Sequence, residues 1–291
     1  MFFLLALVAT IGYSIQGVMM AGCYRTLDRL SAVAYRGLAI GIWMAPLLYF
    51  VPKEDFVRFP TLLAPMLVGA TLTAIANLFS ARTYSFLPVG IATALSVCFG
   101  AIFTALLSFV ILDERLHVSQ IFFMLLLFGG TLVLGRSKSA GTLPKEYNPT
   151  NGIINSVLFG IFISTGYFAV GSLSRQLHPF LVGYFWELLI GVIAANLALA
   201  RGAIATNGLQ PLTQKQFQQV FFASSMTVVG TACFAMATSI GPIGLATTIM
   251  ASMMVFNSVL GIFFFQEKLS GRQWLILLFI CLALGGLKYV T

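Results

Sequence analysis

Charged residues are sparse along this chain and fall in short clusters, and the apolar stretches between them are each close to the length of one bilayer crossing. A membrane helix needs ~20 mostly apolar residues, with ~17–25 the usual range. No charge occurs from Met1 to Tyr24, which predicts a first span at about 2–22. Further spans are predicted at about 31–50, 61–85, 88–111 and 117–136, with Pro88 marking the turn before the fourth. The second part of the chain repeats the pattern at about 151–174, 179–200, 216–239, 242–265 and 271–289. The run Gln216–Gln266 has no charge and is too long for one helix, and Gly241-Pro242 is its natural break. Ten spans leave no room for a soluble domain; the longest polar connections are 137–150 and 201–214.

Composition strengthens this picture. The 291 residues are 59% hydrophobic and 8% charged, against ~45–50% and ~25% in soluble domains. A chain this apolar is a polytopic all-α membrane protein. The first span lacks a basic region before it and has full spanning length, so it reads as a retained helix rather than a cleaved signal. Cys23, Cys98, Cys233 and Cys281 lie in or at the ends of spans without metal-ligand spacing, and read as packing thiols.

The chain also contains itself twice. A shift of 154 positions lays Ala76–Thr93 on Gly230–Thr247, with identity at Ala81/Ala235, Ser85/Ser239, Pro88/Pro242, Gly90/Gly244, Ala92/Ala246 and Thr93/Thr247. One deletion later, Glu114-Arg115-Leu116 lies on Glu267-Lys268-Leu269 and Gln120 on Gln273. The expected organisation is a five-helix repeat at 1–136, a linker at 137–150 and a second five-helix repeat at 151–291. Five is odd, so the second repeat is expected to enter the membrane inverted, a construction plan of secondary transporters with a midplane site.

These residues resemble the drug/metabolite transporter superfamily, specifically its EamA-like branch. The segments that carry the resemblance are A-R-T-Y-S-F-L-P-V-G at 81–90 and D-E-R-L at 113–116, with S-I-G-P-I-G at 239–244 and Q-E-K-L at 266–269. Arg36, early in the second span, also fits. Many relatives carry a proline in the middle of the fourth and ninth spans, where this chain has the neighbourhoods of Gly100 and Met254. The resemblance implies a small-metabolite transporter of the cell membrane (a bacterial inner membrane) that works by alternating access. It further implies a central cavity lined by spans one, three, four, six, eight and nine, and both termini in the cytoplasm.

Polar side chains in these apolar spans are the candidate site, because they face lipid only at a cost. Interhelical hydrogen bonding accounts for most of them. Tyr13, Gln16, Asn77, Ser96, Tyr167, Thr231 and Asn257 are the expected lining residues, Asn77 and Thr231 being repeat-equivalent. Arg82, near a span end, either snorkels to the interface or meets a substrate carboxylate. Glu114 and Glu267 end their spans near water and read as structural, with Ser270 and Gln273 forming a capping box. Gly37-x-x-x-Gly41 marks a close helix crossing, within the monomer or in a weak homodimer.

Glu187 is the sharpest signal. Eight residues after Pro179 it lies ~12 Å into a hydrocarbon layer ~30 Å thick, too deep for a short acid to reach water. It must pair with Arg36, face a wet cavity, or hold its proton. The first is a structural ion pair; the others make it a proton-coupling or cation-recognising acid.

The expected function is secondary-active export or exchange of a small polar or amphipathic metabolite. The alternatives are an intramembrane enzyme acting on a lipid-linked substrate, which needs an acid, base or metal cluster at one face, and a non-transporting scaffold. No cofactor or metal site is expected: the histidines, His117 and His178, stand apart at span ends, and no phosphate loop precedes a lysine. The formal net charge of +8 is dispersed over short loops, which suits membrane lipids and not nucleic acid. Its distribution favours the odd-numbered loops, which under the positive-inside rule puts both termini outside, against the orientation that the resemblance implies.

Overall fold

The computed structural model describes residues 1–135, 144–205, 208–266 and 269–289. Much of the expected linker and both Glu267 and Lys268 lie outside them. The described chain is helical throughout. Its elements are α1 (Phe2–Thr26), α2 (Arg29–Met44), α3 (Lys53–Arg58), α4 (Leu63–Phe86), α5 (Val89–Leu112), α6 (Val118–Gly135), α7 (Pro149–Ser174), α8 (Pro179–Ala205), α9 (Gln214–Ile240), α10 (Ile243–Met250), α11 (Met253–Phe265) and α12 (Gly271–Tyr289). Among the described residues, nine helical stretches are long and apolar enough to cross a bilayer, and α6 contributes a shorter apolar one. The protein is an all-α, multi-pass membrane protein of about ten helices.

Three details differ from the hydropathy reading. The second span leaves the α-helix at Met44 and continues as a 3-10 turn over Ala45–Phe50, because Pro46 has no N–H to continue the ladder. A short helix, α3, follows it. The ninth span is two helices, α10 and α11, joined through Ala251-Ser252 with no proline at the joint; charge counting carries no information on such a break.

Packing pairs each helix with one from the other part of the chain: α1 with α9, α4 with α7, α2 with α8, α5 with α10 and α11, and α6 with α12. Exchanging α1 with α7, α2 with α8, α4 with α9, α5 with α10–α11 and α6 with α12 leaves this scheme unchanged. The correspondence extends to individual hydrogen bonds. Arg25 Nε donates to the carbonyl of Tyr84 at 3.1 Å, and Arg175 Nε to that of Thr238 at 3.2 Å. The backbone N–H of Asp28, before α2, donates to Gln210 Oε1, and that of His178, before α8, to Asp55 Oδ2, both at 2.7 Å. Asp113 and Gln266, which end α5 and α11, are the two non-glycine residues with positive φ among the described residues, at 50° and 53°; Asp tolerates this left-handed cap through its short polar side chain. Gln120 and Gln273 accept from the N–H groups of His117 and Ser270 at 3.0 and 2.7 Å, and Ser270 Oγ accepts from the Gln273 N–H at 3.3 Å, completing the expected capping box.

The core combines large buried side chains such as Phe234, Leu181 and Ile249 with close crossings at small residues. Where α2 crosses α8, a Cβ on Gly191 would stand 2.5 Å from the Leu38 nitrogen, and one on Gly37 would stand 2.5 Å from the Gly191 Cα. Only glycine allows that approach. The Gly37-x-x-x-Gly41 motif is therefore consumed inside one chain, Gly41 meeting Leu188.

Most polar side chains in the spans do not bridge helices. Thr10, Ser14, Thr104, Asn155, Asn196 and Thr227 each donate to the carbonyl four residues back in their own helix. A short hydroxyl or amide reaches that carbonyl without any partner helix. The expectation of general interhelical bonding is corrected accordingly.

Candidate functional site

Where α1, α2, α4, α5, α7, α8 and the start of α11 converge, a cavity of about 80 Å³ opens in the membrane-spanning part of the protein. Periodicity explains its walls. Thr73, Asn77, Ser80 and Tyr84 recur on α4 at spacings of four, three and four, so they share one face. Tyr13, Gln16 and Tyr24 do the same on α1, since eleven residues are close to three turns.

At its centre Arg36 from α2 meets Glu187 from α8. Arg36 Nη2 donates to both carboxylate oxygens, at 3.4 and 3.3 Å, and Nη1 donates to Asn77 Oδ1 at 3.1 Å. Thr231 donates to Glu187 Oε1 at 2.8 Å and is itself 2.9 Å from the Tyr13 hydroxyl. The repeat-equivalent residues Asn77 and Thr231 thus hold opposite ends of one ion pair. Glu187 has no exposed surface and Arg36 only 6%. The arginine Nε–H nevertheless has no hydrogen-bond partner among the described residues. The pair is also long: charge-assisted N–H···O bonds run ~2.7–2.9 Å. Aromatic rings enclose it. Tyr24 stacks on Tyr84 with centroids 6.0 Å apart, and Tyr167 lies against Trp186 and, on its other side, Phe234. Trp186 Nε1 donates to Thr73 Oγ1 at 3.2 Å.

Of the residues singled out from sequence, Tyr13, Gln16, Asn77, Ser96, Tyr167, Arg36 and Glu187 line this cavity. Thr231 stands directly behind Tyr13 and Glu187. Asn257 is deeper, donating to Thr93 Oγ1 at 2.7 Å with its Oδ1 unpartnered. Arg82 is elsewhere, in a groove with Asp28, Arg29 and Arg201. Tyr24, Ser80, Tyr84, Phe159, Trp186 and Met253 line the cavity without having been singled out. The four-three-four spacing on α4 was a usable signal for Ser80 and Tyr84, and the eleven-residue spacing from Tyr13 for Tyr24. Nothing in the sequence marked Phe159 or Met253.

A second polar cluster closes the face that carries Glu114. Its carboxylate accepts from the N–H groups of Ile243 and Gly244 at the start of α10 and from Arg175, which also donates to the carbonyls of Thr238 and Gly241. A carboxylate suits a helix N-terminus, where free N–H groups concentrate positive charge. The structural role expected for Glu114 is what the geometry provides: it ties α5, α7 and α10 together.

A sequence model of the EamA-like transporter family matches residues 1–136 and again 150–288. The chain belongs to the EamA-like transporter family. It is thus a membrane transporter of the drug/metabolite superfamily. A solved structure described only as the crystal structure of a protein superposes on 99% of this EamA-like chain and 94% of its own, with TM-score 0.72 and 14% sequence identity, and so shares its fold. No curated protein gives a significant sequence match.

Proposed function

We propose that this EamA-like protein exports or exchanges a small polar or amphipathic metabolite by alternating access, with the Arg36–Glu187 pair as the recognition and coupling element. One observation carries the reading: an ion pair with almost no exposed surface faces a cavity instead of being sealed in packing. Buried pairs of this kind are often replaceable by apolar residues at no loss of stability, so folding alone gives little reason to place one here. The pair is stretched and one arginine N–H is unpartnered, which leaves room for a ligand to compete for either charge. Aromatic walls suit an amphipathic ligand. The cavity has room for a few waters but is smaller than the ~300–1,000 Å³ of ligand sites, so carrying a metabolite requires it to widen. The two parts of the chain, inverted relative to one another, supply the elements that rock.

Counterflow of labelled metabolites in proteoliposomes tests the transport reading directly. Glu187→Gln tests the coupling role. It leaves a folded protein whose transport loses its pH dependence between about pH 5 and pH 8, or its preference for cationic substrates. Unchanged transport across that range removes Glu187 from coupling. The inverted arrangement, with both termini in the cytoplasm, predicts that reporters inserted at 53–58 and at 208–212 lie on opposite sides of the membrane. Finding both on one side refutes it.

A further inference from the structure

At the end of the molecule where α1 turns into α2, a groove of about 290 Å³ lies between α2, α4 and α8 and shares no lining residue with the cavity. Its floor is apolar: Ile75, Leu78 and Phe79 share one face of α4, and Arg82 follows one turn later on the same face. Arg29 and Arg201 complete a basic rim. The acid in the lining, Asp28, is occupied by Arg201, which grips both its oxygens at 2.9 and 2.8 Å. Arg29 reaches Glu146 only at 4.0 Å. Arg82 is exposed and makes no hydrogen bond or ion pair among the described residues.

Of these arginines, Arg201 braces Asp28, whereas Arg29 and Arg82 have no comparable partner among the described residues. At the positions that the helix exchange relates to Arg29, Arg82 and Arg201 stand Pro179, Met236 and Val51. The basic groove therefore exists at one face only, which a packing role does not explain. It sits at helix ends, the depth at which lipid headgroups meet a membrane protein.

We infer that this groove binds an anionic phospholipid, its phosphate at Arg29 and Arg82 beside the Asp28–Arg201 pair and an acyl chain along Ile75, Leu78 and Phe79. Guanidinium groups match phosphate geometry and charge. The apolar floor gains only from a ligand that brings a hydrocarbon chain, which selects lipid over free phosphate. The site draws on α2 and α4 from one half and α8 from the other, so the bound lipid bridges them.

The test uses the full chain in detergent, titrated with phosphatidylglycerol or phosphatidylcholine and read by native mass spectrometry and thermal unfolding. Phosphatidylglycerol binds preferentially to the wild type and raises its midpoint. At roughly 1 kcal/mol per basic contact, Arg82→Met weakens binding about five-fold and Arg29→Gln with Arg82→Met about 25-fold. Met already stands at the position related to Arg82, and Arg29→Gln alone, on the exposed rim, gives an independent reading. An undiminished phosphatidylglycerol preference in Arg29→Gln and in the double variant overturns the proposal. Inorganic phosphate reproducing the full midpoint shift also overturns it, by showing a free-anion site.

Discussion

The two halves of this transporter agree where helices begin, end and cross, and disagree where they face the cavity. Arg25 and Arg175 bind equivalent carbonyls, Asp28 and His178 receive equivalent caps, and Asp113 and Gln266 take the same left-handed turn. Along α2 and α8, Leu38, Ile40 and Gly41 correspond to Leu188, Ile190 and Gly191, yet immediately before those matches Arg36-Gly37 in one half corresponds to Trp186-Glu187 in the other. Most duplicated residues satisfy backbone groups, a need that both halves share, and Asp28 and Asp55 are unduplicated charges that do the same. The unduplicated Arg36 and Glu187 meet no such need. They are the place to look for chemistry.

The comparison breaks first at its centre. Arg36→Met strands a buried carboxylate and lowers stability by about 3–5 kcal/mol, seen as a large fall in the thermal midpoint in detergent. Arg36→Met with Glu187→Met restores most of that stability while transport stays lost. If the double variant is as unstable as the single one, the pair is a folding element and the contrast between the halves loses its meaning.

A smaller effect probes the shared part. Gly191→Ala pushes a methyl group into the Leu38 backbone and costs about 2–3 kcal/mol, towards the upper end of overpacking. An alanine accepted without loss contradicts the close crossing of α2 and α8.

Next comes the latch. Glu114→Gln keeps the size but removes the charge that accepts from Arg175 and the start of α10, costing about 1.5 kcal/mol. Size-exclusion and thermal-unfolding profiles matching the wild type show that the carboxylate holds nothing.

The smallest expected effect is at Asp28. Burial pushes its carboxyl up, but hydrogen bonds from Arg201 and from the Ser31 N–H and hydroxyl outweigh this and hold it below the ordinary carboxylate value. A depressed acid stabilises the fold above its unfolded pKa of ~3.9 and loses that contribution as pH falls through and below that value. The pair is partly exposed, so its share is at most about 1 kcal/mol. Asp28→Asn flattens this segment of the stability profile between about pH 5 and pH 3, and an equally steep fall in the variant assigns it to other groups.

How much was legible in advance varies by residue. Glu187 was readable as an acid too deep to reach water, because depth follows from a count of residues along a helix of fixed rise. That it meets Arg36 was one of several outcomes, because the two lie on different helices and no local periodicity relates them. Asn77 and Thr231 were readable as a symmetric pair, but their division of labour at opposite ends of the ion pair was not. Arg82 illustrates the converse. Its sequence position suited either a substrate contact or the interface, and the rotation of α4 turns it away from the cavity.

The sequence by itself determined the membrane class, the positions of the helices and the duplication. A bilayer admits few charges and demands spans of set length, so spacing of charges alone marks the crossings. Only the tertiary structure decided which polar side chains share a cavity and which bond back to their own helices. It also decided where the ninth span breaks and which glycines touch. Those outcomes depend on helix rotation and on contacts between segments more than a hundred residues apart, and hydropathy does not encode either.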